Sequence, residues 1–242
     1  MSTNRSILKK LKRFLLKPIA GIKIAYTIIR LKRVKLLRDE IDDWMNLAFN
    51  FNALGIRIKP IQIPYEIKGL LEIIKKLNPK NVLEIGTASG GTLFLFSRAS
   101  SPDATIVSVD LPGGPFGGGY SKGKALIFKS FARAKQKIYL LRADSHNHST
   151  LEKIKFILLD KKLDFLFIDG DHSYEGVKKD FETYSPLVRN GGIIAFHDIV
   201  PGDPKYVGGV PKFWKEIKPK FNHTEIVENR KQSGCGIGVI YT

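Results

Sequence analysis

Short apolar runs that alternate with segments of helical length place the strongest constraint on the fold of this chain. The runs lie at 82–85, 104–109, 138–141, 165–168 and 192–196, and each has the length of a strand buried on both faces. Strands that alternate with helices in this way form parallel sheets, because each crossover helix carries the chain back over the sheet. The pattern therefore predicts an α/β protein with a doubly wound sheet.

The predicted helices and the last two strands complete this architecture. Two β-rich runs near 221–228 and 236–241 are separated by polar residues and glycine at 229–234, as in a hairpin. We therefore expect a mostly parallel seven-stranded sheet with an antiparallel C-terminal hairpin. Helices are predicted over 64–77, 90–99, 122–134, 150–159, 174–187 and 210–217.

The positive charge of the chain is concentrated at its N-terminal end. Residues 1–38 hold 12 of the 40 Lys and Arg residues and none of the 23 Asp and Glu residues. Residues 39–242 therefore carry 28 basic against 23 acidic residues, a net charge of only +5. Aliphatic residues recur among the basic ones at near-helical spacing. A basic amphipathic helical arm with its linker is predicted over 1–60, ahead of a globular domain over 61–242.

The arm has two interpretations that the sequence leaves open. Basic amphipathic helices lie on anionic membrane surfaces, which predicts a peripheral membrane contact through residues 1–38. Alternatively, its helices pack on the body of the protein or on a partner subunit of a homo-oligomer, with their lysines solvated. No run approaches the roughly 20 apolar residues of a spanning helix, and basic residues interrupt every stretch that a signal peptide would need.

A single cysteine, Cys235, excludes an intramolecular disulfide and any cysteine-based metal cluster. It fits a reducing compartment. We therefore expect a cytoplasmic protein, either free or associated with a membrane surface.

A glycine turn follows the first predicted strand. Residues 84–90 read Glu-Ile-Gly-Thr-Ala-Ser-Gly. Glycines let the backbone approach a ligand closely, and the N–H groups that open the following helix favour a negative group. Thr87 stands where a dinucleotide site has its second glycine, and Glu84 would repel a pyrophosphate but could pair with a cationic ligand. A glycine turn alone is also compatible with a purely structural role.

Acidic residues end the next two strands. Asp110 follows the second strand, where a carboxylate can accept hydrogen bonds from both hydroxyls of a ribose. Asp144 follows the third strand, where it could face an adenine amino group. The alternative for each acid is a helix cap or a solvated turn.

Titratable groups also follow the fourth and fifth strands. Asp169 and His172 come after one strand, and His197 and Asp198 after the next. Because the carboxyl ends of parallel strands share one edge of the sheet, we expect these side chains to converge. Carboxylates suit hard divalent cations, and imidazole titrates near neutrality. The structural alternatives are a hydrogen-bonded loop and a packed histidine, and Asp171 is expected to cap the next helix.

The first turn and the acid after the second strand resemble the class I S-adenosylmethionine-dependent methyltransferases. Glu84-x-Gly86-x-x-x-Gly90 is similar to the first motif of that family, and Asp110 is similar to its ribose-binding acid. The resemblance covers about residues 61–242. It implies a Rossmann-like methyltransferase domain there.

Two later segments resemble one subgroup of that class. Phe-Ile-Asp-Gly-Asp-His-Ser-Tyr at 167–174 and Leu-Val-Arg-Asn-Gly-Gly at 187–192 are similar to cephalosporin hydroxylase-like and sugar or macrolide O-methyltransferases. The resemblance implies S-adenosylmethionine as the cofactor. The residues that it places around this cofactor are Glu84, Gly86, Thr87, Ser89, Gly90, Asp110, Asp144 and Ser145.

The resemblance also implies a divalent cation, with Mg²⁺ as the first expectation. Metal-dependent relatives hold the cation with an acid after the fourth strand and a pair of ligands after the fifth, and Asp169 and Asp198 match this pattern. His197 departs from the acid or asparagine found there, so the site takes a softer metal or the position is metal-free. Asp169 and His172 are the residues expected to act in catalysis, with His172 as the general base.

The sequence thus predicts methyl transfer to a hydroxyl group of a small molecule or sugar. The Asn/Asp-Pro-Pro-aromatic signature of many amino-group methyltransferases is absent after the fourth strand, which favours an oxygen acceptor. A nucleic-acid methyltransferase is one alternative, but nucleic acid is not the expected partner because the basic arm carries large aliphatics rather than stacking aromatics. A non-catalytic module docked on a membrane or partner is the other.

Overall fold

Strands and helices alternate along the chain in the computed structural model, which describes residues 19–34, 39–114, 116 and 118–242. The strands are β1 (Asn52–Ala53), β2 (Ile56–Arg57), β3 (Asn81–Ile85), β4 (Thr105–Asp110), β5 (Lys137–Arg142), β6 (Leu163–Ile168), β7 (Val188–His197), β8 (Asn222–Ile226) and β9 (Ile237–Tyr241). The helices are α1 (19–33), α2 (Ile41–Asn50), α3 (Pro64–Leu77), α4 (Gly91–Ala99), α5 (Lys122–Lys129), α6 (His148–Leu158), α7 (Tyr174–Tyr184), α8 (Pro204–Val207) and α9 (Val210–Ile217).

Seven of the strands form one sheet in the order β5-β4-β3-β6-β7-β9-β8. Neighbouring strands from β5 to β7 pair in parallel, whereas β9 runs antiparallel to both β7 and β8. The predicted doubly wound, mostly parallel sheet with a reversed strand near its C-terminal edge is therefore confirmed. β1 and β2 form a separate two-stranded hairpin.

The central strands bury side chains on both faces of the sheet. In β6, Phe165 and Phe167 point into one apolar core, and Leu166 and Ile168 point into the other. Burial on both faces explains why this strand is a continuous apolar run in the sequence. The two phenylalanine rings pack edge-to-face on Phe96 of α4, with centroid separations of 5.0 and 5.1 Å.

Helix α2 and the hairpin that follows it contribute to the same core as the sheet. Trp44 and Ala48 of α2 are buried there together with Ile58. The indole N–H of Trp44 donates to Oδ1 of Asp39 at 2.7 Å. The sequence pattern had placed 39–60 only in the linker of the arm, as a transitional segment. A helix of ten residues has little stability until its apolar face is packed, so its sequence signal is weak.

Helix α1 is the described part of the predicted basic arm. Ile24 and Leu31 pack on the core, and Ile24 lies so close to α5 that a Cβ on Gly123 would come within 2.7 Å of its Cδ1. The predicted amphipathic stretch 6–17 lies outside the described residues. In the part of the chain that the structure describes, no helix is long and apolar enough to cross a membrane. The predicted division of the chain at residue 60 stays a prediction.

The order of the sheet changes direction at β3, which has β4 on one side and β6 on the other. Backbone pairing continues past the strand ends there: the N–H of Gly86 donates to the carbonyl of Val109 at 2.8 Å, and that of Asp169 to the carbonyl of Ile85 at 2.9 Å. Gly86 has φ +98°, and a Cβ at this position would clash with the carbonyl of Asp169. A glycine is therefore required where a crevice opens at the switch point.

Local hydrogen bonds shift three details from the prediction. α5 ends at Lys129 rather than near residue 134, because the backbone tightens into i→i−3 hydrogen bonds. β7 begins at Val188, where it already pairs with the start of β6. The expectation that Asp171 caps α7 is wrong: Ser173 is the cap and accepts the N–H of Gly176 at 3.0 Å, while Asp171 accepts the N–H of Ser173.

Replacement of Trp44 by alanine tests whether α2 is part of the cooperative core. Loss of this buried indole should lower the free energy of unfolding by about 3–5 kcal/mol, because a cavity remains. Urea unfolding of the full chain measures the effect. The matched control is Phe156→Ala, at a side chain that is 78% exposed, and it should change stability by no more than about 0.5 kcal/mol. Equal stability of the Trp44→Ala protein and the wild type would contradict the prediction.

Candidate active site

A cavity of about 520 Å³ opens at the carboxyl edge of the central strands. This volume is within the range of small-molecule and cofactor sites, about 300–1,000 Å³. The loop between β4 and α5 and two segments near 203–207 and 233–235 form its rim. The predicted site residues that line it are Gly86, Asp110, Asp144, Ser145, Asp169, His172, His197 and Asp198.

Asp110 connects the glycine turn to the loop at the cavity rim. Its Oδ2 accepts the N–H groups of Thr87 at 2.9 Å and Ala88 at 2.6 Å, and its Oδ1 accepts that of Gly119 at 2.5 Å. Burial raises the pKa of Asp110, and these backbone donors oppose the shift. A carboxylate offers about four lone-pair positions, so about one stays available on the cavity side.

Glu84 is fully buried behind the glycine turn. Its Oε2 accepts the hydroxyl of Ser108 at 2.5 Å, whereas its Oε1 has no hydrogen-bond partner among the described residues. Burial raises the pKa of Glu84 to about 8, against the opposing effect of the nearby hydroxyls of Ser108 and Thr92. Four predicted cofactor residues are outside the lining of the described cavity, namely Glu84, Thr87, Ser89 and Gly90.

The turn after β5 forms another wall of the cavity. Oδ1 of Asp144 accepts the N–H of His146 at 2.9 Å, and the carbonyl of Ser145 accepts the hydroxyl of Tyr184 at 2.6 Å. Nε2 of His146 lies 3.2 Å from the carbonyl of Gly176 and 3.3 Å from Oδ1 of the fully buried Asp180, and the interaction with Asp180 raises the pKa of His146. The side chain of Asp144 is half exposed and therefore accessible to a ligand.

Two histidines and two aspartates meet where β6 and β7 end. Nδ1 of His197 lies 3.2 Å from Oδ1 of Asp169 and 3.3 Å from Oδ2 of Asp198. His172 bridges the same two carboxylates, with Nε2 at 3.4 Å from Asp169 and Nδ1 at 3.3 Å from Asp198. The structure therefore brings together all four residues that the sequence had placed at this edge.

Neighbouring groups orient this cluster. The carbonyl of Tyr206 lies 2.5 Å from Nδ1 of His172, and because a carbonyl can only accept, this nitrogen carries a proton. The ring of His172 stacks on Phe116 with a centroid separation of 5.1 Å. Gln62 donates to Oδ2 of Asp169 at 2.7 Å. Nothing in the sequence around Gln62 had indicated this contact.

In this cluster the attraction between opposite charges has a larger effect on the pKa values of Asp169, His172 and His197 than burial has. Burial alone would raise the pKa of Asp169 and lower that of each histidine. The charge of His197 and the hydrogen bonds of both imidazoles instead hold the pKa of Asp169 below its usual range. Asp169 likewise raises the pKa of His172 to about 9 and that of His197 well above its ordinary value. At neutral pH His172 and His197 are therefore imidazolium groups that pair with the carboxylate of Asp169.

Cys235 joins the cluster, although the sequence analysis had not assigned it a role there. Its thiol, one nitrogen of His197 and one oxygen of Asp198 lie within 4.8 Å of one another, and a second set of donors with the same spread comprises Asp169, His172 and Asp198. The glycines on either side of Cys235 were the available sequence signal, because such a triplet favours left-handed backbone.

The donor set fits a divalent cation. It supplies carboxylate oxygens and imidazole nitrogens from two strand ends, both of which are common metal ligands. Nε2 of His197 is buried and has no hydrogen-bond partner in the described part of the chain. A buried polar atom without a partner is costly, whereas the nitrogen of His197 that faces the two carboxylates is Nδ1, and a cation shared with them would bind there.

Residues 83–199 match a family model described as a methyltransferase domain. A probable caffeoyl-CoA O-methyltransferase 3 from Dictyostelium discoideum is 30% identical over 129 residues, which cover 53% of this chain and 47% of that protein. The chain spans about half the length, or less, of the curated relatives it matches.

Solved structures share the fold. An O-methyltransferase from Bacillus cereus in complex with SAH has a TM-score of 0.55 at 19% identity, over 76% of this chain and 84% of that one. The O-methyltransferase TomG from Streptomyces achromogenes, involved in tomaymycin synthesis and in complex with SAM, has a TM-score of 0.52 at 17% identity, over 90% and 96% of the two chains. At these identities the likeness concerns the fold.

Replacement of Glu84 by glutamine should change how stability depends on pH. The pKa of Glu84 is about 8 in the folded protein against an ordinary 4.5, so between these values only the folded chain keeps the proton. The wild type therefore loses stability as pH rises through this interval. The difference in unfolding free energy, wild type minus Glu84→Gln, should fall by roughly 3 kcal/mol between about pH 5 and pH 8.

Urea unfolding at several pH values measures this difference. The control is Glu152→Gln, at an exposed side chain of α6, whose stability should follow that of the wild type. Parallel pH profiles for the wild type and Glu84→Gln would show that Glu84 is not held protonated by burial.

Proposed function

We propose that this chain, whose residues 83–199 match a family model described as a methyltransferase domain, is a class I methyltransferase that transfers the methyl group of S-adenosylmethionine to a hydroxyl group of a small molecule or sugar. The observation that carries the proposal is that Gly86 and Asp110 line the same cavity as the cluster of Asp169, His172 and Asp198. The similar proteins include O-methyltransferases, one in complex with SAH and another in complex with SAM. These names support the choice of methyl donor and of an oxygen acceptor.

The glycine-turn side of the cavity would hold the adenosyl part of the methyl donor. The available lone pair of Asp110 would accept a ribose hydroxyl, and Asp144 and Ser145 would lie beside the adenine. Gly86 keeps this part of the wall free of a side chain. The remaining predicted cofactor residues would support the turn from behind: Glu84, Thr87, Ser89 and Gly90.

The histidine–aspartate cluster would bind a divalent cation and the acceptor. Asp169, His197 and Asp198 would hold the cation, which when bound orients a hydroxyl and lowers its pKa. His172 would take the hydroxyl proton. It can do so only as a neutral imidazole, and its two carboxylate partners now keep it protonated. Sharing those carboxylates with a cation would remove the cause of that protonation.

Calorimetry with S-adenosylmethionine tests the cofactor site. The wild type should bind, and Asp110→Asn should bind at least about tenfold more weakly, because a hydrogen bond to a charged group contributes about 1.5–3 kcal/mol. The control is Asp103→Asn, just before the opposite end of the same strand, where Asp103 accepts from Ser101 and pairs with Lys80 at 3.8 Å. No binding by the wild type at millimolar cofactor would contradict the proposal.

Transfer of labelled methyl groups from S-adenosylmethionine to a caffeoyl thioester, catechol and free hexoses tests the reaction. His172→Gln and Asp169→Asn should each reduce transfer at least about a hundredfold, the usual size of an acid–base contribution, while cofactor binding persists. EDTA should abolish transfer, and an added divalent cation should restore it. Transfer that is insensitive to chelation would remove the metal from the proposal, and unchanged transfer by His172→Gln would remove the base.

We further propose that α1 docks on an anionic membrane surface. One face of α1 packs on the core through Ile24 and Leu31. A second stripe, comprising Ile19, Ile22, Tyr26 and Ile29, is 40–65% exposed. Residues 1–38 carry 12 positive and no negative side chains, so this surface would repel a second copy and attract anionic lipid. Because α1 packs on α5, which follows the loop at the cavity rim, docking would bring that rim near the lipid surface.

Flotation of the full chain with lipid vesicles tests the docking surface. The wild type should float with vesicles that contain phosphatidylglycerol, less so in high salt, and not with phosphatidylcholine alone. Ile22→Ser/Ile29→Ser should weaken partitioning at least about tenfold, because each isoleucine buries apolar area. The control Phe156→Ser/Leu159→Ser removes even more exposed apolar side chains elsewhere and should float normally. Equal flotation of both double variants would contradict a role for α1.

A further inference from the structure

Three chemically different donor atoms converge beside the end of β7. A ring nitrogen of His197, a carboxylate oxygen of Asp198 and the thiol of Cys235 lie within 4.8 Å of one another. Two ligands on one cation lie no more than about 4.6 Å apart, given metal–ligand distances of about 2.0–2.3 Å, so the three donor atoms lie close to the range that one ion can span. His197 is only 4% exposed, and its Nε2 has no hydrogen-bond partner among the described residues. The site therefore gathers an imidazole, a thiol and a carboxylate around one buried ring.

The backbone holds Cys235 against the segment that follows β7. The N–H of Gly234 donates to the carbonyl of Pro201 at 3.0 Å, and the N–H of Val200 to the carbonyl of Cys235 at 2.9 Å. The N–H of Cys235 donates in turn to Oδ1 of Asp198 at 3.1 Å. Cys235 and Asp198 have φ values of +57° and +60°, which are uncommon for residues other than glycine. The surrounding structure thus imposes the approach of these two side chains.

We propose that Cys235 is a metal ligand and that, with His197 and Asp198, it selects a d-block divalent cation of the Fe²⁺, Co²⁺ or Zn²⁺ class over Mg²⁺. The inference rests on the proposed function in placing a cation at this cluster, and it proposes a softer metal in place of Mg²⁺, the first expectation from the sequence. Mg²⁺ prefers oxygen ligands in near-octahedral geometry. Thiolate and imidazole favour the later divalent metals.

The chemistry of coordination is balanced by the release of two protons. The S–H bond of Cys235 breaks and its thiolate sulfur would bond to the cation, while the imidazolium of His197 loses the proton of its coordinating nitrogen, and both protons pass to the buffer. Asp169, which lies in the second donor set with the shared Asp198, would complete the ligands from the other side and leave His172 free to act as the base. The imidazolium–carboxylate pairs of the cluster would then give way to metal–ligand bonds.

Cobalt absorption tests the thiolate ligand directly, because Cys235 is the single cysteine of the chain. Untagged full-length protein is stripped with EDTA, dialysed and titrated with Co²⁺. A near-ultraviolet thiolate-to-cobalt charge-transfer band should grow and saturate at one equivalent, and excess Mg²⁺ should not remove it. Cys235→Ser should lose the band and bind Co²⁺ at least about tenfold more weakly, since even partners of metal ligands change affinity by about 10–100-fold.

Two controls keep the outcomes distinct. His223→Gln removes an exposed histidine far from the cluster in sequence and should keep the band. Binding of S-adenosylmethionine by the stripped wild type reports on the proposed function without the metal. The inference would be overturned if Co²⁺ bound without producing the band, or if equimolar Mg²⁺ displaced Co²⁺. It would also be overturned if protein that still binds S-adenosylmethionine bound no cobalt. A normal band in protein that does not bind S-adenosylmethionine would instead contradict methyl transfer.

Discussion

The close approach of Gly86 to the carbonyl of Asp169 is the constraint on which the rest of the site depends. A side chain at Gly86 would clash there, so the ends of β3 and β6 can meet only because this residue is glycine. The same contact carries the backbone pairing one step past both strands, from Gly86 to Val109 and from Asp169 to Ile85. The cavity opens directly beyond this junction, with the glycine turn on one side and the histidine–aspartate cluster on the other.

Charge balance is the second condition for this site. Four titratable groups are packed where water is scarce, and each isolated charge would be costly there. Their mutual pairing makes the arrangement stable, because each imidazole lies within 3.4 Å of both carboxylates. The same proximity couples protons to cation binding: a cation on these carboxylates removes the reason for the histidines to stay protonated. If one carboxylate were missing, two imidazolium groups would share a single negative charge, and the charges of the cluster would no longer balance.

The sequence predicted the regular parts of the fold because their signals are local. Buried parallel strands read as apolar runs, and the residues that end them reach one edge by the geometry of a parallel sheet. Asp169, His172, His197 and Asp198 converge for that reason. Short elements were less predictable. Helix α2 owes its stability to the burial of Trp44, and its ten residues carry no strong signal of their own.

The sequence by itself determined the sheet, its parallel order and the edge at which the acids and histidines gather, since hydrophobic periodicity and glycine placement encode these directly. The tertiary structure alone decided which side chains face the cavity. The side chain of Glu84 is buried inside the protein, and the carboxylate of Asp110 accepts hydrogen bonds from two loops. Cys235 and Gln62 lie beside the histidine–aspartate cluster. These contacts join residues far apart in the chain. The spacing of residues within one segment does not predict which distant segment will supply a hydrogen-bond donor or a ligand.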